Sequence, residues 1–157
     1  MHNSLDRLIS IKKEVKTKNA NCNIIAVSKT FPIKEILPLI NYGHLHFGEN
    51  KIQEAIEKWT DIKKDFQEIK LHMIGKLQTN KVKFAISLFD YIHSLDNLKL
   101  AEKISKEQAK QKKNLKIFIQ INIGKEIQKS GISPDELEKF YKICKDKMSL
   151  NIIGIMC

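Results

Sequence analysis

Six short runs of apolar and β-branched residues recur along this chain, each separated from the next by a segment with helical periodicity. That alternation constrains the fold more than any other feature. The runs cover residues 24–28, 45–47, 70–74, 91–94, 116–122 and 152–156, and they are rich in Ile, Val and Phe, as strands buried on both faces should be. Repeated β-α units demand a parallel sheet with right-handed crossovers, so the fold class is α/β. Two architectures satisfy this: an open doubly wound sheet and a closed (β/α)8 barrel. Ser28-Lys29-Thr30, not a glycine-rich loop, follows the first run, which argues against a dinucleotide-binding fold.

The intervening segments carry helix-start signals. A helix over residues 5–18, with Leu5, Leu8 and Val15 on one face, precedes the first strand. Pro32 opens a stripe of Ile33, Ile36, Leu37 and Ile40, which Pro38 is expected to distort or shorten. Asn50 is expected to cap a helix bearing Ile52, Ala55, Ile56 and Trp59. Thr79 or Asn80 should cap the helix running to Ser87, and Asp96 one bearing Leu98, Ala101 and Ile104. Ser133-Pro134-Asp135-Glu136 combines an N-cap, a proline at the first helical position and a capping-box glutamate.

The 157 residues suffice for one domain, with 42% hydrophobic and 29% charged residues, an ordinary globular balance. No apolar run approaches the ~20 residues of a membrane span, and the N-terminus lacks a signal-peptide core, so the expectation is a cytoplasmic protein without a membrane partner. Cys22, Cys144 and Cys157 form neither a disulfide framework nor a CxxC site, and Cys144 reads as a small apolar residue on a helix. The net charge of +10 invites a nucleic-acid reading. However, Arg7 is the only arginine, and the lysines are spread over nearly every predicted helix; solvated faces are the simpler account.

Three segments offer chemistry. Alternation puts Ile25, Val27 and Lys29 on one face. In a barrel that face is the lumen, and Lys29 would stand at the C-terminal mouth, where barrel active sites are built. Loss of hydration there would favour the neutral amine, which can attack an aldehyde; the alternative is a solvated strand-end lysine. His44 and His46 share a face of the second strand and read either as two ligands of a metal lacking a third or as packed, hydrogen-bonded histidines. Residues 72–81 join a strand end, Gly75 and a polar helix start, an arrangement that can meet an anion or serve as a plain βα loop.

Taken in order, Ala26-Val27-Ser28-Lys29-Thr30, His46-Phe47-Gly48-Glu49-Asn50 with Gln53-Glu54, and His72-Met73-Ile74-Gly75-Lys76-Leu77-Gln78-Thr79-Asn80-Lys81 resemble the pyridoxal phosphate homeostasis protein family. His93-Ser94-Leu95-Asp96, Gln120-Ile121-Asn122-Ile123, Lys129-Ser130-Gly131-Ile132 and Gly154-Ile155-Met156 continue the match. The resemblance implies a (β/α)8 TIM-barrel type like the N-terminal domain of alanine racemase, the third fold type of pyridoxal-phosphate proteins, here incomplete with six strands present. It implies a single cofactor-binding domain over residues 1–157 that lacks the last two β-α units. It implies that Lys29 forms a Schiff base with pyridoxal 5'-phosphate, that Asn50 lies beside the cofactor, and that His72, Ser94, Asn122 and Met156 surround the pocket at strand ends. The implied role is a non-catalytic, monomeric carrier and buffer whose partners are pyridoxal phosphate and the apoenzymes that depend on it, with no catalytic residue and no metal.

In that family the cofactor phosphate and ring nitrogen are held by a Ser, a Gly-Thr or Gly-Ser loop and an Arg near the C-terminus, a region that would lie beyond Cys157. Arg7, on the N-terminal helix, is no evident substitute. The chain is therefore expected to be a C-terminally truncated member, either a piece of a longer protein or a short form with impaired cofactor binding. Competing expectations are an amino-acid racemase-like enzyme, a basic nucleic-acid-binding module, and an inactive fragment with exposed sheet edges.

Overall fold

The computed structural model describes residues 3–18, 21–124 and 130–157, so the expectation placed on Lys129 lies outside the described residues. Strands β1 (Ala26–Val27), β2 (His46–Glu49), β3 (Lys70–Met73), β4 (Tyr91–Leu95), β5 (Lys116–Gln120) and β6 (Ile152–Met156) form one sheet in the order β1-β2-β3-β4-β5-β6. Every pairing is parallel. All six strands expected from the sequence are present. The monotonic order resolves the choice between architectures: a doubly wound sheet reverses its order at a switch point, whereas a barrel adds each strand beside the last. The sheet is an incomplete barrel of six strands, with a free edge at β1 and at β6 among the described residues.

The helices are α1 (Asn3–Lys18), α2 (Ile33–Asn41), α3 (Ile52–Trp59), α4 (Ile62–Asp65), α5 (Val82–Leu88), α6 (Leu98–Gln111) and α7 (Leu137–Lys142). The side chains of the sheet that face them make the core. Phe47, Leu71, Met73, Ile92, Ile117 and Ile119 are buried, and Trp59 packs on Phe47 with ring centroids 5.0 Å apart. Each such side chain contributes roughly 1.5–3 kcal/mol by leaving water. On β6, Ile153 and Ile155 remain 45% and 54% exposed, for want of a helix over them among the described residues.

The helix starts depart from expectation. Pro38 lies inside α2 without ending it, because Ile36, Leu39 and Ile40 bury one face and offset the lost hydrogen bond. Lys51, not Asn50, is the N-cap of α3, without a side-chain cap; Asn50 ends the strand side of the turn instead. Thr79 and Asn80 fall within a 3-10 turn, Thr79–Lys81, that leads into α5. Asn97, not Asp96, caps α6, its side chain accepting from the Leu100 N–H at 2.9 Å. Ser133 stands before a 3-10 turn, Pro134–Glu136, and makes no side-chain cap bond, so the capping box does not form. Cys144 is fully buried in the π-helical turn that follows α7, and burial pushes its thiol up to about 11.

Candidate active site at the C-terminal ends of the strands

Lys29 follows β1 directly. Ala26 pairs with Phe47 and Val27 with Gly48, and the Ser28 N–H donates to the Gly48 carbonyl at 2.9 Å, so strand geometry continues to the residue before the lysine. A Cβ on Gly48 would lie 3.2 Å from both Ile25 Cγ2 and Ile74 Cδ1, which marks the inner face, away from the helices. By alternation Lys29 has the parity of Ile25 and Val27, and it already stands in the turn that follows β1. A tight turn comes next: the Phe31 N–H donates to the Ser28 carbonyl at 3.2 Å, and Thr30 takes φ 66°. That left-handed value at the third turn position is unusual for a β-branched residue. The expected loss of hydration is not observed. Lys29 is exposed, as is Val27 at 47%, because β1 has a neighbour on one side only.

The residues on either side of Lys29 are tied to an acid-base cluster on the helix side of the sheet. Glu49, wholly buried at the end of β2, accepts three hydrogen bonds on one oxygen: from Ser28 Oγ at 2.8 Å, Lys58 Nζ at 2.9 Å and Trp59 Nε1 at 2.9 Å. Lys58 Nζ also donates to the Ser28 carbonyl at 2.7 Å. On the far side of the lysine, the Thr30 N–H donates to Glu54 Oε1 at 2.7 Å, and Glu54 lies 3.9 Å from Lys58. The second Glu49 oxygen is buried without a partner. Breaking a buried ion pair from one side costs about 3–5 kcal/mol, so Lys58 and Glu49 hold each other firmly in place. The sequence reading missed this cluster. Its signal was a glutamate inside a short apolar strand, together with the Glu54/Lys58 spacing on one face of a helix.

Asn50 comes immediately after β2, and its Oδ1 is buried with no hydrogen-bond partner. Its backbone is pressed against Gly75, the loop glycine after β3. A Cβ there would lie 2.2 Å from the Asn50 carbonyl oxygen, which only glycine permits. Ser94 reaches the inner face through a bulge: Ile92 pairs with Ile117 and Leu95 with Ile119, so His93 and Ser94 together oppose Phe118. Its hydroxyl is also buried and unpartnered. Asn122 follows β5, its N–H donating to the Ile132 carbonyl at 2.9 Å, and Gly131 packs against its backbone. Met156 closes β6 beside Gln120. Lys29, Asn50, Asn122 and Met156 thus stand at strand ends on one rim.

His72 is differently placed. It lies in a row across the inner face, with both ring nitrogens engaged: Nε2 with His46 Nδ1 and Nδ1 with His93 Nε2, each at 2.9 Å. His72 stacks on Tyr91 and His93 on Phe118. Burial, then the His93 and His46 rings, lowers His72 to about 3; burial lowers His93 to about 4. His44 is not in a strand; it bonds through Nε2 to the His46 carbonyl and packs edge-on against Phe47, and burial and Lys12 lower it to about 4. No group of three or more His, Cys, Asp or Glu side chains arranged to hold a metal ion occurs among the described residues.

A barrel of parallel strands with a lysine at the C-terminal end of its first strand defines a class, and comparison with known proteins gives its membership. The chain belongs to the alanine racemase N-terminal domain family, whose model matches residues 4–157, and within it to the pyridoxal phosphate homeostasis proteins. The pyridoxal phosphate homeostasis protein of Haemophilus influenzae is 36% identical over 149 residues, covering 93% of this chain and 63% of the relative. That of Aquifex aeolicus is 30% identical over 161 residues, covering 98% of this chain and 70% of the relative. PipY of Synechococcus elongatus, solved without PLP, superposes with a TM-score of 0.88 at 32% identity, over 96% of this chain and 68% of PipY. PipY with PLP bound gives 0.81 at 28%, over 97% of this chain and 69% of PipY. The chain therefore spans a little under two thirds of the length of the Haemophilus relative.

Proposed function

We propose that this chain binds pyridoxal 5'-phosphate as a Schiff base on Lys29 and takes part in cofactor homeostasis, holding and releasing the cofactor to apoenzymes without catalytic turnover. The observation that carries the reading is the place of Lys29. It is an exposed amine just after the C-terminal end of the first strand of a racemase-type barrel. The residues present fit the aldehyde end of the cofactor. The amine is exposed at the end of β1, and Asn50, at the end of the neighbouring strand β2, has a buried Oδ1 that lacks a hydrogen-bond partner and that a bound molecule could engage. Lys29 and Asn50 would hold the ligand, with Ser94, Asn122 and Met156 lining the rim, while His72 acts from below through the histidine row. The cofactor supplies a reactive aldehyde; the Lys29 nitrogen bonds to its carbon and the carbonyl oxygen leaves as water. The reading further takes residues 1–157 as one cofactor-binding barrel domain acting as a cytoplasmic monomer.

The test mixes the chain with pyridoxal phosphate, reduces the adduct with borohydride and maps the labelled peptide. Label concentrated on Lys29, and lost in Lys29→Ala, is expected. Label spread over surface lysines defeats the assignment. Sustained exchange of amino-acid α-protons would instead favour a racemase-like enzyme.

A further inference from the structure

We propose that Glu49, Lys58 and Glu54 form a positioning clamp that aims Lys29 by fixing the residue on each side of it. The inference rests on the reading that Lys29 is the cofactor-bonding amine. Lys29 itself is exposed. Its neighbours are held instead. Ser28 is gripped twice, its hydroxyl by Glu49 and its carbonyl by Lys58, and the Thr30 N–H is gripped by Glu54. The Thr30 bond holds a threonine in the left-handed region, so the turn after Lys29 is maintained against its own backbone preference. All three clamp residues come from β2, the next strand along the chain, and α3, the helix that follows it.

Docking of α3 does not require the cluster. Ile52, Ala55 and Trp59 already bury the helix against the sheet, and a buried ion pair is a weak source of stability compared with apolar packing. What the cluster adds is direction: three of its hydrogen bonds end on Ser28 and Thr30. An amine on a flexible four-carbon stem reacts selectively when its backbone anchor is fixed, and a small misplacement of that anchor is costly.

The experiment uses the 157-residue chain, pyridoxal phosphate at less than one equivalent, borohydride reduction, and the share of label on Lys29 against the other lysines. Glu54→Ala removes the acceptor for the Thr30 N–H at a side chain that is 30% exposed, so the chain should remain folded. The Lys29 share is expected to fall about tenfold. Glu54→Gln keeps a carbonyl acceptor at the same reach and is expected to hold the share within about twofold of the parent. Lys58→Met should lower the share and Lys58→Arg restore it. Ile104→Val in the core of α6 serves as the control for mere destabilisation: it should lower Tm without moving the share. A Lys29 share unchanged in folded Glu54→Ala, with label focused on Lys29 in the parent, overturns the clamp alone. A loss that tracks Tm equally in Ile104→Val overturns it as well. Diffuse label in the parent overturns the reading of Lys29 and the clamp with it.

Discussion

The buried histidines make stability fall as the solution is acidified. His44, His72 and His93 are 4%, 3% and 8% exposed and are lowered to about 4, 3 and 4, so they are neutral in the folded chain at any pH near neutrality. In the unfolded chain each titrates near its ordinary value of about 6.5. A folded value below the unfolded one means that the unfolded state takes up protons first. Stability is therefore fully present above about 6.5 and is lost as the pH falls from there toward the folded values. Each histidine contributes about 1.4 kcal/mol per pH unit across that window, which is about 2 kcal/mol by pH ~5. The three together approach 6 kcal/mol as an upper bound, comparable to the roughly 5–15 kcal/mol that holds a domain together. Urea unfolding between pH ~7.5 and ~5, above the range where most carboxylates titrate, measures this directly. His93→Leu should remove about one proton from the uptake and flatten the profile by about 2 kcal/mol at the acid end, although it also leaves His72 Nδ1 unpaired and so lowers stability at neutral pH. A profile flat across the window in the parent chain, or one unchanged in slope by His93→Leu, refutes the reasoning.

Two further outcomes follow from the loops and caps. Gly75→Ala forces a methyl group against the Asn50 backbone, which cannot yield as a side-chain tip can; a loss of about 1–3 kcal/mol, or several degrees of Tm by calorimetry, is expected, together with weaker labelling of Lys29. Asn97→Ala should cost α6 about 1 kcal/mol in urea unfolding while Asp96→Ala costs little; equal losses would show that the cap is not where the Leu100 N–H bond places it.

The α/β class, the six strands and the candidate amine were legible in the sequence for a local reason. Strand and helix periodicities are carried by neighbouring side chains, and a lysine directly after a strand is placed at that strand's C-terminal end by sequence alone. Helix starts were less legible: Asn50 and Asp96 have the right chemistry for a cap, but the chain turns one residue later, and the competition among adjacent polar residues is resolved by tertiary packing. The closeness of Asn50 to Gly75 and the bulge that turns Ser94 inward are equally matters of register between strands.

By itself, the order of residues determined what could be built: alternating elements, a parallel sheet, and an amine at the end of the first strand. The folded arrangement alone decided that the sheet grows in one direction, that Lys29 stands in water with its flanking residues bound, and that Glu49, Lys58 and Glu54 do the binding. The reason is range. Periodicity is a property of a few consecutive residues, whereas a carboxylate from β2 meeting a carbonyl from β1 through a lysine on α3 depends on how three elements pack together.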